Sequence, residues 1–182
     1  LNTSTPFLLH PAFVDTVRQE LDRSGLHPYL LAIDVPVDAL ARDARRAARV
    51  ARDLVDGGMG VIADGVDATR ALDRLPALGA EAWKIDLGRP AARRGALHPS
   101  IGHAVERAHE AGARAVAKAV EDDAGLVAVR DLGFDEVFGH VVSRPLPGHA
   151  ARSTFRAAPP RLRPLFRLPA AGGLGDQAVR RR

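Results

Sequence analysis

Between Ala113 and Pro147 the chain sets two short apolar runs, Ala115-Val116-Ala117 and Glu136-Val137-Phe138, on either side of a segment with near-helical spacing. In that segment Leu126, Val129 and Leu132 recur on one face, and Gly133 follows where a left-handed residue closes a helix. The unit reads as strand, helix, strand. Two short buried strands joined by a crossover helix are parallel, and polar residues just past parallel strand ends share one rim. Here those residues are Lys118 to Glu121 and Gly139 to His140.

The same alternation extends upstream. Leu1 to Pro6 reads as the end of a strand, and Pro11 starts a helix in which Phe13, Val17 and Leu21 share a face before Gly25. Tyr29 to Val35 is an apolar run broken only by Asp34, the pattern of a strand covered on both faces. Asp38 to Gly57 predicts a long helix whose shallow apolar face, Leu40, Ala44, Ala47, Ala51, Leu54 and Val55, covers a barrel from outside. Gly60 to Ala63 and Ala82 to Ile85 are further strands, separated by a helix marked by Leu72, Leu75 and Leu78 and closed near Gly79. After a loop containing Arg93-Arg94, the face Ile101, Val105 and Ala108 predicts a helix opened near Pro99-Ser100 and closed by Gly112. About six strands thus alternate with helices, which predicts an α/β fold with a parallel sheet. A complete (β/α)₈ barrel needs eight strands and typically about 250 residues. At 182 residues the expectation is a partial or modified TIM-type barrel.

Charge divides the chain in two. The formal net charge is +4, but residues 151–182 carry +7 and leave −3 on residues 1–150. The expected organisation is therefore one α/β domain over 1–150 and a disordered basic tail over 151–182. That tail contains Pro159, Pro160, Pro164, Pro169 and Arg180-Arg181-Arg182 and lacks an apolar period. With the positive charge confined to the tail, the high pI is no sign of a specific nucleic-acid partner. There is no cysteine, hence no disulfide framework and no thiolate chemistry, in keeping with a cytoplasmic protein. No apolar run approaches the roughly 20 residues of a membrane span. The chain opens on Leu1 without a signal-like region, and the expectation is a piece of a longer product.

The central unit ends in Ser143-Arg144-Pro145-Leu146-Pro147, and Lys84-Ile85-Asp86 lies upstream. In order and spacing these residues resemble the EAL family of cyclic-di-GMP phosphodiesterases over about residues 1 to 147. The family's AEGVE motif appears as Ala117-Lys118-Ala119-Val120-Glu121, its QGY as Phe138-Gly139-His140, and its SRPLP intact. The resemblance implies an EAL-type (β/α) barrel lacking its first two strands, including the EAL signature.

It also implies which residues would carry phosphodiester hydrolysis, a reaction that needs carboxylates to hold two divalent cations, Mg²⁺ or Mn²⁺. Asn2 matches the metal-binding asparagine of a VNLS-like motif; a loop amide bonded to nearby backbone is the other reading. Asp34 falls where EITE has its first glutamate, with Val37 at the second; otherwise it is a strand-end carboxylate bonded to backbone amides. Ala63-Asp64 stands for the aspartate pair of DDFGTG, so that a methyl group takes the first position, and Asp64 alone also reads as a turn or cap residue. Lys84 matches the active-site lysine, or else pairs with a neighbouring carboxylate, and Asp86 reads as structural. Glu121 matches the last glutamate of AEGVE, or is a solvated rim carboxylate. At the first glutamate stands Lys118, whose ammonium has no acceptor lone pair, repels cations and is able to neutralise Asp64 and Glu121. Phe138 replaces the glutamine of QGY.

The remaining chemistry is thin. His103 and His109 are six residues apart and do not share a helix face as a metal pair does, and His10, His27, His98, His140 and His149 read as surface or loop residues. Gly172-Gly173-Leu174-Gly175 has no strand before it and is no dinucleotide loop.

Three functions follow as expectations. The first is a degenerate EAL-like domain that does not hydrolyse cyclic-di-GMP and carries Asn2, Asp34, Asp64, Lys84 and Glu121 as vestiges. It would have no cofactor, and its partners would be cyclic-di-GMP or signalling proteins, a second copy of the chain among them. The second is an active phosphodiesterase using Mg²⁺ or Mn²⁺, seen in part. The third is a piece without independent function, because an open sheet exposes two edges.

Overall fold

Apolar alternation and helical spacing translate into five parallel strands with helices packed over one face. In the computed structural model, which describes residues 1–68, 72–87, 99–144 and 146–147, the strands are β1 (Ala32–Pro36), β2 (Gly60–Asp67), β3 (Ala82–Asp86), β4 (Arg114–Lys118) and β5 (Glu136–Phe138). They pair in sequence order, every pair parallel. The helices are α1 (Thr5–Leu8), α2 (Phe13–Ser24), α3 (Asp38–Asp56), α4 (Pro99–Glu110) and α5 (Asp123–Asp131). The sixth strand expected at the N-terminus is reduced to a parallel bridge between Asn2 and Asp34, because α1 starts at Thr5.

Side-chain alternation along the strands sorts two faces. Ile33, Val35, Val61, Ala63, Trp83, Ile85, Ala115 and Ala117 form the face under the helices, each at most 1% exposed. From α3, Ala47, Val50, Ala51 and Leu54 are buried, and from α4, Ile101, Ala104, Val105 and Ala108. The opposite face holds Ala32, Asp34, Ile62, Asp64, Lys84 and Lys118 and opens into a cleft.

Local sequence explains where the elements depart from expectation. Tyr29 and Leu30 do not join β1. Pro28, which lacks an N–H and has a preset φ, opens a 3₁₀ turn over Pro28–Leu30 that leaves Tyr29 66% exposed. The helix expected around Leu72, Leu75 and Leu78 is a 3₁₀ helix over Leu72–Leu78. Its three leucines repeat every third residue, the 3₁₀ period, and Pro76 within it donates no bond. In α3, Asp43 leaves helical geometry, and its Oδ1 accepts from the Arg46 N–H at 3.0 Å, restarting the helix. Ala44 and Val55, assigned to the apolar face, are exposed.

The chain divides into two units, Leu1–Val141 and Val142–Arg182. Of the second, residues 142–144 and 146–147 are described, and the Ser143 hydroxyl donates to the Arg144 carbonyl at 2.8 Å. The Arg93-Arg94 loop, His98, His149 and the basic tail lie outside the described residues. Among the described residues no helix is long and apolar enough to cross a membrane.

Candidate functional site

The cleft has a volume of about 510 Å³, and each strand contributes to it. β1 gives Asp34, β2 gives Ile62 and Asp64, β3 gives Lys84, β4 gives Lys118 and β5 gives Phe138. Leu1 and Asn2 complete one side.

Among the described residues Asp34 is the one buried charged residue, 5% exposed. Its backbone is gripped by the N-terminal segment. The Asp34 N–H donates to the Leu1 carbonyl at 2.8 Å, and the Thr3 hydroxyl donates to the Asp34 carbonyl at 2.7 Å. Its carboxylate receives the Lys84 ammonium, Nζ to Oδ2, at 2.6 Å. A carboxylate this deep is costly without a charge partner, and Lys84 provides one from 50 residues away.

A second pair lies alongside. Lys118 Nζ donates to Asp64 Oδ1 at 2.7 Å, both side chains being less than a third exposed. The backbone around this pair is special on both strands. After Asp64 the register with β3 shifts by one residue at Gly65, whose φ of 76° belongs to the left-handed region open to glycine. After Lys118, Ala119 has a φ of 61° although it carries a Cβ. An alanine held there costs about 1–2 kcal/mol. The turn persists because the next residue is pinned: the Val120 N–H donates to the Phe138 carbonyl, and the Val141 N–H donates to the Val120 carbonyl at 3.1 Å. Gly139 fits this junction because a Cβ on it would stand 2.2 Å from the Val120 oxygen.

Asn2, Asp34, Asp64 and Lys84 are therefore brought together, whereas Glu121 is not. It is exposed and absent from the cleft lining, because the turn at Ala119 buries Val120 and directs the chain toward α5, which Asp122 caps by accepting from the Gly125 N–H at 2.7 Å. Ala63 is also displaced from its expected place. It lies among the residues facing the helices, 0% exposed, while Asp64 takes the cleft-facing position on β2. An aspartate at 63 would enter the apolar layer and not the cleft. Phe138, read in the sequence as a strand residue and a lost glutamine, lines the cleft with its ring 5.8 Å from Lys84 Nζ. Its place at a strand end was the available signal.

A divalent cation needs several converging oxygen ligands. Among the described residues no three His, Cys, Asp or Glu side chains come together as such a group. Both cleft carboxylates are already held by ammonium groups, so the side chains present do not fit a two-cation centre. What they provide is a cleft with two negative and two positive groups. Each ammonium has three N–H donors and uses one on its carboxylate, which leaves donors for an anionic oxygen. Of the histidines, His109 Nε2 lies 2.9 Å from Asp135 Oδ2, away from the cleft.

A parallel α/β sheet with a polar cleft on the face away from its helices fits a (β/α)-barrel-type domain. More particularly, the chain belongs to the EAL domain family, whose profile matches residues 1–145. Its fold is similar to that of the PaMucR phosphodiesterase in complex with c-di-GMP, with 25% identity and a TM-score of 0.70 over 82% of this chain and 68% of that one. It is also similar to the Xanthomonas citri FimX EAL domain in complex with c-di-GMP, with 20% identity and a TM-score of 0.66 over 80% of this chain and 59% of that one. The Mycobacterium smegmatis DcpA EAL domain, 20% identical, gives a TM-score of 0.75 over 87% of this chain and 72% of that one. The chain thus spans 59% to 72% of the length of these three structures. No curated protein is significantly similar to it.

Proposed function

We propose that this EAL domain serves cyclic-di-GMP signalling without hydrolysing the nucleotide, as a nucleotide-binding or protein-interaction module. The observation that carries this reading is the Lys118–Asp64 ion pair, formed where the resemblance expects a glutamate; the Lys84–Asp34 pair lies in the same cleft. Two-metal hydrolysis depends on carboxylates free to hold cations that generate hydroxide and stabilise the leaving oxygen. Here an ammonium occupies each carboxylate and brings a charge that opposes cation entry. The same groups favour a phosphodiester: the two lysines cancel the two aspartates, and their remaining N–H donors suit anionic oxygens.

Calorimetric titration with cyclic-di-GMP, with and without Mg²⁺, together with an assay for the linear product in Mn²⁺, tests the reading. The expected result is binding unaffected by metal and no product. Metal-dependent turnover would instead mark the chain as part of an active phosphodiesterase.

A further inference from the structure

We propose that Phe138 is a base-stacking residue that makes the cleft selective for nucleotides over other anions. This rests on the reading of the cleft as a nucleotide site. Phe138 ends β5 and lines the cleft, yet the residue is 64% exposed, against 5% for Phe134 and 1% for Phe13. An aromatic ring left open within a concavity offers a flat apolar surface whose burial by a ligand is favourable.

The neighbouring charges determine what kind of flat ligand fits. Lys84 Nζ lies 5.8 Å from the ring centroid and Lys118 is directly paired with Phe138 in the β4–β5 register. A ring with the Lys84 ammonium beside it, in a cleft that also holds Lys118, matches a molecule with a planar aromatic part and an anionic part a few ångströms apart, which is the chemistry of a nucleotide. Aspartates at 34 and 64 keep the cleft from acting as a general anion trap, because each lysine already has one counter-charge. Selectivity therefore falls to the ring.

The decisive experiment titrates cyclic-di-GMP and, separately, GMP into the full chain and into its Phe138→Leu and Phe138→Trp variants. Leucine keeps apolar bulk and removes the π face; tryptophan enlarges that face. Thermal unfolding of each variant confirms that this exposed position leaves the fold intact. The expected result is a roughly five- to hundredfold loss of affinity in Phe138→Leu, the range that one base–aromatic stack supplies, with Phe138→Trp binding at least as tightly as the wild type. Equal affinity of Phe138→Leu and the wild type would overturn the stacking role and leave nucleotide binding in place. If the wild type binds GMP through Phe138 but not cyclic-di-GMP, stacking stands and the cyclic dinucleotide reading falls. If it binds neither, both fall.

Discussion

Lys118 Nζ lies 2.7 Å from Asp64 Oδ1, so that the end of β4 reaches across β3 to the middle of β2. The contact links residues 54 positions apart and puts a positive charge where a carboxylate pair would otherwise attract a cation. It makes the cleft neutral, and several consequences can be measured.

Exchanging that charge should change the metal chemistry. Lys118→Glu sets a second carboxylate beside Asp64 and should confer Mn²⁺ binding detectable by electron paramagnetic resonance, with none expected for the wild type. Ala63→Asp should not. It introduces a charge into the helix-facing apolar layer, where an unpaired ion costs several kcal/mol, and should lower the melting temperature sharply. Mn²⁺ binding by Ala63→Asp would show that the assignment of faces on β2 is wrong.

Removing Lys84 should be worse for folding than removing both members of its pair. Lys84→Met leaves Asp34 buried with no counter-charge, a loss of about 3–5 kcal/mol, whereas Lys84→Met with Asp34→Leu should recover much of it. Urea unfolding of the two variants decides; equal destabilisation would mean that Asp34 is adequately solvated without the lysine.

Ala119→Gly should stabilise the chain. Glycine adopts a φ of 61° without the Cβ clash, and after its own greater unfolded-state entropy the gain is about 0.5–1 kcal/mol. Differential scanning calorimetry should show a melting temperature higher by a few degrees. A fall would mean that the turn is not strained.

Gly139→Ala should act in the opposite direction. Its Cβ would meet the Val120 oxygen at 2.2 Å and the Val120 nitrogen at 2.6 Å, contacts that force the β4–β5 junction apart. A destabilisation of about 1–3 kcal/mol, in the range of overpacking, is expected, with faster hydrogen exchange at the Val120 and Val141 amides. Unchanged exchange there would show that the junction yields elsewhere.

The sequence read alone located all five strands to within a few residues, because short apolar runs between glycine-closed helical segments have few other folds open to them. The resemblance grouped Asn2, Asp34, Asp64, Lys84 and Glu121 as one site; the first four line or adjoin the cleft, and Glu121 lies outside its lining. The sequence did not separate Ala63 from Asp64, since both end the same apolar run and alternation states only that neighbours face opposite sides. It marked a helix by Leu72, Leu75 and Leu78 without fixing its type, because a three-residue interval suits either helix type until Pro76 is weighed.

What the sequence by itself determined was order: strand after helix after strand, and therefore parallel pairing with the polar residues gathered at one end. The tertiary structure decided phase and partnership. Which residue of β2 looks into the cleft depends on the packing of α3 and the bulge at Gly65, and which carboxylate each lysine meets depends on strands brought together from about fifty residues away. Both are long-range consequences of burial, since a charge withdrawn from water must find its opposite in space, and neighbours in sequence do not say where that will be.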